Sequence, residues 1–291
     1  MKYILLLIIG LIWGSQYVLN EIVLVDFSAF GLASWRIFIG FITLCLLVLI
    51  IPGERKSRLK LTKKLIMLFI LIGAVEAAIP FWLIGYGQMH IDSSVAAIIM
   101  GLIPMLTLLL ELGFKKGHKT SVYEVLGMSL AFVGLIVLVN PSSDDFSGSL
   151  IGYTAIFMAA LSFAVALILM EKIPRDISSI HATRFILGIY AIPMMFIWFY
   201  YNYDSVPTNP KSILSIIVIG MFSSGIVYLL YLKLIRVSGP TFTSLSNYIV
   251  PLVGTFLGVW VLSEPFTHNI AISLFLIIIG LFVANIKKKP I

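Results

Sequence analysis

Charge is the scarcest ingredient of this 291-residue chain. Only 11% of its residues are Asp, Glu, Lys or Arg, less than half of the roughly 25% usual in a soluble domain. So few charges cannot clothe a water-facing surface, which excludes a soluble globular protein. Cysteine is nearly missing as well: Cys45 stands alone, so no intramolecular disulfide can form, and it is expected only to pack. The chain contains no His-Glu-x-x-His, no Gly-x-Ser-x-Gly and no Gly-x-x-x-x-Gly-Lys. These absences argue against an intramembrane enzyme and against ATP as an energy source within the chain. The four histidines, at 90, 118, 181 and 268, offer no nucleophile–base constellation, and no metal or cofactor is required. Polar rings and filter-like loops, the marks of a channel, are missing too.

What the chain does have is apolar residues, 60% of the total, with a mean hydropathy of +1.09. They fall in long blocks rather than amphipathic stripes. About twenty such residues span the roughly 30 Å of bilayer hydrocarbon at about 1.5 Å per residue. The polar breaks divide the chain into ten segments: 3–23, 29–51, 65–86, 93–114, 121–139, 149–171, 179–201, 211–232, 240–262 and 267–286. The expected class is an all-α membrane protein of ten transmembrane helices in the inner (plasma) membrane of the cell, in contact with the lipid bilayer throughout. The first segment, lacking a small-residue cleavage site, reads as an uncleaved span rather than a signal peptide.

The net charge of +7 invites a nucleic-acid reading, and the placement of the charges removes it. With the N-terminus inside, 17 of the 20 basic residues fall on the inner side, and the outer loops hold only Lys211. Asp26, Asp92, Asp144, Asp145 and Asp204 lie on the outer side. This is the positive-inside bias, so both termini are expected in the cytoplasm, with no nucleic-acid partner.

Five segments followed by five invite a comparison of the halves. Arg36 pairs with Arg184 at an offset of 148 positions, Gly73 with Gly220 and Pro104 with Pro251 at 147, and Gly134 with Gly280 at 146. The chain therefore reads as two five-helix repeats, residues 1–140 and 149–291. An odd number of helices per repeat inverts the second copy in the membrane, a device that lets two halves expose a midplane site to either side in turn. The matched prolines mark helix breaks next to a central cavity.

Several short motifs strengthen this reading. They are Leu11-Ile12-Trp13-Gly14-Ser15, an arginine early in the second and seventh spans, and Ile79-Pro80-Phe81-Trp82 followed by Ser93-Ser94-Val95-Ala96-Ala97. Ile103-Pro104-Met105 and Ser263-Glu264-Pro265 complete the set. In order and spacing the chain resembles the drug/metabolite transporter superfamily, in its ten-helix EamA-type branch, over nearly its whole length. The resemblance implies alternating-access transport of small metabolites, often export of amino acids or related compounds. An importer and a non-transporting accessory protein are the competing readings. Members often carry a Gly-Glu pair after the fourth span, where this chain has Lys116-Gly117-His118. Glu264 is accordingly read as a helix-capping loop residue.

An ionisable side chain in mid-bilayer needs an explanation, because it costs several kcal/mol unless paired or hydrated. Glu76, near the middle of the third span among Gly73, Ala74, Ala77 and Ala78, is the candidate for proton coupling or for a cationic group of a substrate. A structural ion pair with Arg36 is the alternative. Arg36 and Arg184 lie within two turns of a membrane face, so their guanidinium groups are expected to snorkel to phosphates or cap helix carbonyls, a structural role. Glu111 is expected to pair with Lys115, one helical turn on. Buried amides need partners, which points Gln16 and Asn247 inward. With Trp13, and less firmly Tyr17, Trp82, Tyr86 and Tyr228, they form the candidate pathway for a small-molecule substrate. Gly10-x-x-x-Gly14 and Gly254-x-x-x-Gly258 permit close helix contact, within the chain or in a homodimer.

Overall fold

The computed structural model describes residues 2–51, 54, 61–114, 122–139, 146–202 and 207–284. Every regular element among them is helical. The α-helices are α1 (Lys2–Leu24), α2 (Ala29–Ile50), α3 (Lys63–Gly73), α4 (Ile79–Gln88), α5 (Ser93–Met100), α6 (Ile103–Phe114) and α7 (Val122–Val139). They continue with α8 (Phe146–Met170), α9 (Ser179–Asn202), α10 (Pro210–Val218), α11 (Val227–Ser244), α12 (Ile249–Val261) and α13 (His268–Ala284). Much of the basic charge behind the expected orientation, at Arg55, Lys115 and residues 287–289 for example, lies outside the described residues, as do Asp144, Asp145 and Asp204.

Seven described stretches are long and apolar enough to cross a membrane, and Ser129–Leu138 and His268–Gly280 are shorter apolar helices. One stretch, Pro210–Val261, has 52 residues, more than twice the length of a single crossing. It is divided at Gly239, whose φ of 81° is a left-handed conformation open to glycine and costly for other residues. Polar side chains start the helices where the chain leaves the apolar region. Ser28 accepts from Gly31 N–H at 3.0 Å, Thr62 from Leu65 N–H at 3.2 Å and Asn209 from Lys211 N–H at 3.0 Å, each satisfying an otherwise orphaned donor.

The exterior and interior reverse the pattern of a soluble protein. Leu49, Phe196, Phe256, Trp260 and Phe282 are exposed, while Gln16, Asn20, Arg36, Glu76, Gln88 and Asn247 are buried. A surface of that composition is stable against lipid. The core lies between the two halves. The principal packings join α2 to α9, α1 and α5 to α12, α4 and α6 to α8, and α7 to α13. The repeat-matched glycines sit at these contacts. A Cβ at Gly134 would lie 2.9 Å from Ile277 Cγ1, and one at Gly280 would lie 2.5 Å from the Gly127 carbonyl oxygen. A Cβ at Gly10 would lie 2.6 Å from Ile249 Cβ, and one at Gly14 2.5 Å from Val253 Cβ. Gly254 abuts Ala97. Both Gly-x-x-x-Gly spacings therefore serve contacts within the chain.

Helix interruptions fall beside the matched prolines and at two further places. The third segment is broken by a π-helical turn, Ala74–Ala78, and the eighth by another, Ile219–Ile226. The two begin beside the matched Gly73 and Gly220. Pro104 and Pro251 do not kink continuous helices: each stands at the second or third position of α6 or α12, after a break at Gly101–Leu102 and a 3₁₀ turn at Leu245–Tyr248. There the missing N–H of proline forfeits no helical bond, because the first N–H groups of a helix have no partner within it. The two breaks touch, for a Cβ at Gly101 would lie 2.6 Å from Pro251 Cγ.

Candidate functional site

A π turn carries one residue too many for the regular bonding ladder and leaves carbonyls seeking other donors. Here side chains supply them. Ser162 Oγ donates to the Val75 carbonyl at 2.8 Å, the Tyr228 hydroxyl to the Glu76 carbonyl at 2.9 Å and Trp13 Nε1 to the Ser223 carbonyl at 3.2 Å. Trp13 and Tyr228 are thus oriented by the matched turns of opposite halves. Their rings form an aromatic cluster with Tyr231 and Phe81. Trp13 lies edge-on to Tyr231 at 4.6 Å and to Tyr228 at 6.1 Å, and Phe81 lies 6.5 Å from Tyr228.

Arg36 is buried among them. Its Nε donates to Ser224 Oγ at 3.0 Å and one terminal nitrogen to Gln16 Oε1 at 2.7 Å, while the guanidinium lies 3.7 Å from the Phe81 ring centroid. The other terminal nitrogen, Nη1, is buried with no hydrogen-bond partner among the described residues. Arg36 therefore does not snorkel. It crosses between the halves, from α2 to the second π turn, and holds Gln16 in place. Its repeat counterpart Arg184 is half-buried in a separate crevice of about 410 Å³ with Phe41, Cys45 and Gly188.

Glu76 is completely buried, and neither carboxylate oxygen has a partner among the described residues. The Tyr228 hydroxyl beside it donates to the main-chain carbonyl, and no ion pair with Arg36 is present among the described residues. A carboxylate so placed is stable only if it carries a proton or takes up a positive or hydrogen-donating guest.

Trp13, Gln16, Tyr17, Phe81, Met100, Ile103, Phe163, Tyr231 and Asn247 enclose a central cavity drawn from both halves. About 10 Å³ is open to the centre of a water molecule, room for about one water. The cavity is thus narrow. Of the residues expected along a pathway, Trp13, Gln16, Tyr17 and Asn247 line it, and Tyr228 stands directly behind. Trp82 and Tyr86 do not: they are 46% and 38% exposed on the outside of α4. Phe81 points inward, and the next residue on a helix lies about 100° round the axis. Phe81 and Ile103 stand in motifs of the resemblance without marking a cavity, and Met100 and Phe163 carry no sequence signal, since nothing distinguishes an apolar cavity wall from ordinary packing.

This placement predicts a contrast. Trp13→Ala should lower transport at least about tenfold, because the indole both closes the cavity and bonds the Ser223 carbonyl. Trp82→Ala should change it less than about twofold, as expected of an exposed position outside the cavity whose ring contact is to the likewise exposed Tyr86. Uptake or efflux rates per inserted molecule measure both.

The comparisons with known proteins agree with this architecture. The EamA-like transporter family matches residues 1–140 and again residues 150–286. The uncharacterized transporter YoaV of Bacillus subtilis is 23% identical, over 94% of this chain and 93% of its own. A Chlamydia muridarum protein named as an S-adenosylmethionine/S-adenosylhomocysteine transporter is also 23% identical, over 96% of this chain and 90% of its own. One solved crystal structure overlays with a TM-score of 0.66 at 19% identity, covering 96% of this chain and 98% of that one, a likeness of fold alone. The chain is a multi-pass membrane protein and belongs to the EamA-like transporter family.

Proposed function

We propose that the protein is a secondary transporter that exports amino acids or related small compounds across the plasma membrane by alternating access. In this reading ten crossings form two inverted five-helix repeats, residues 1–140 and 149–291, with both termini in the cytoplasm. The observation that carries it is the narrow central cavity, lined from both halves beside the meeting point of their helix breaks. The family matching once in each half supports the two-repeat division. Export rather than import follows the resemblance, and the relative named for S-adenosylmethionine makes an amino-acid derivative a reasonable cargo class. Proton coupling is assigned to Glu76, whose buried carboxylate oxygens have no hydrogen-bond partner among the described residues.

The test compares internal and external metabolite pools of cells expressing the protein with those of empty-vector cells. Selective loss of an amino-acid-like compound to the medium is the expected result. Selective depletion from the medium would make the protein an importer, and unchanged pools under several growth conditions would favour an accessory role.

A further inference from the structure

The start of α5 lacks a cap of its own: Asp92 occupies the capping position without a side-chain bond. The cap comes instead from the other half. Glu264 accepts from Ser93 N–H at 2.9 Å, from Ser94 N–H at 3.0 Å and from the Ser93 hydroxyl. At the opposite end of the same helix pair, Glu111 at the end of α6 accepts from the Thr241 hydroxyl, just after the Gly239 break. Ser94 and Thr241 are 147 positions apart, the offset that relates Pro104 to Pro251.

The carboxylates obey the same symmetry by different routes. The repeat counterpart of Glu111, again 147 positions on, is Gly258. A Cβ at Gly258 would overlap the Glu264 carboxylate, which lies over that glycine. One half thus delivers the acid from the helix itself, and the other leaves the helix position empty and fills it from the following loop. Ser263, the residue before Glu264, takes a left-handed φ of 58°, a conformation that costs a non-glycine residue about 1 kcal/mol or more and is kept where it aims that side chain. Between the two ends the broken helices touch at Gly101 against Pro251 and at Ala97 against Gly254.

We infer that Glu264 and Glu111 are positioning residues that latch the two broken helices together at opposite membrane faces, with the central contact as the pivot. Releasing Glu264 from Ser93 and Ser94 opens the outer side while the Glu111–Thr241 contact holds the inner side, and the reverse exchange opens the inner side. The inference deepens the alternating-access reading and rests on it.

The test is accessibility of Met100→Cys, at the cavity wall, to a membrane-impermeant maleimide in the full-length protein with Cys45→Ser. Labelling is measured on intact cells and on inside-out vesicles, and needs no substrate. Glu264→Gln should raise labelling from outside about tenfold and lower it from inside, given the worth of hydrogen bonds to a charged group. Glu111→Gln should do the opposite. Thr241→Val removes the inner contact from its other partner while keeping the side chain's shape, and should act like Glu111→Gln. Shifts of the same sign at both faces, or none in normally inserted protein, overturn the latches. Labelling from one face alone in every variant, the unsubstituted chain included, overturns alternating access itself.

Discussion

Glu76→Gln should abolish exchange of substrate driven by a pH gradient in proteoliposomes while leaving exchange without a gradient measurable. The expected loss is at least about a hundredfold in the driven flux, since a carboxamide has the shape of the carboxylic acid but cannot take up or release a proton. The prediction is selective because the main-chain carbonyl of Glu76, not its side chain, holds the Tyr228 hydroxyl. That bond, and the aromatic cluster it orients, survive the substitution. Nor is an ion pair lost, since the carboxylate has no partner among the described residues. A variant that inserts normally and still concentrates substrate against its gradient when driven by pH would remove Glu76 from the coupling mechanism. A variant that loses both driven and gradient-free exchange would place the residue in substrate binding instead. In the second half the matching position is Ser223, so the symmetry of the fold does not by itself demand an acid there.

The membrane explains why so much of the fold was legible in the sequence. Bilayer thickness fixes segment length, and the polar breaks between segments are where the structure starts its helices, with Ser28, Thr62 and Asn209 as caps. The central aromatic and amide residues were legible for a related reason: Gln16 and Asn247 cannot face lipid cheaply, and they do not. Trp82 and Tyr86 misled because aromatic rings are at home both at a cavity wall and at a membrane surface. Residue type alone does not say which side of α4 a ring occupies. The π turns left no trace in composition, because an extra residue in a helix needs neither proline nor polarity. Arg36 was read from its distance to the membrane face, but its environment is set by Gln16, Ser224 and Phe81, two of them far away in sequence. Glu111 was read with its neighbour Lys115, which lies outside the described residues, while its bond to Thr241 spans 130 positions. In each case local pattern was readable and long-range partnership was not.

The largest effect on folding is expected at Gly254. Gly254→Leu should leave little folded protein in the membrane, measured as the monodisperse fraction after extraction, whereas Gly113→Leu should fold like the parent. A Cβ at Gly254 would overlap Ala97 Cβ and lie 3.5 Å from the Gly14 carbonyl oxygen, and one at Gly113 would meet nothing within 4 Å among the described residues. Both are helical glycines, so the gain in helix propensity over glycine, about 0.5–1 kcal/mol, is common to the two substitutions and cancels. What remains is steric. At Gly254 the obstruction is a neighbouring Cβ, fixed to its main chain, so relief requires α5 and α12 to separate rather than a side chain to turn. Overpacking of an ordinary core costs about 1–3 kcal/mol, and a contact that forces two helices apart exceeds that. Separation there would also part Gly101 from Pro251 and carry Glu264 away from Ser93, so the damage would spread along both broken helices. If Gly254→Leu folds and only its transport is altered, the α5–α12 contact is a moving part with slack. If it fails to fold while Gly254→Ala recovers some of the protein, the contact is the fixed point on which the two halves are assembled.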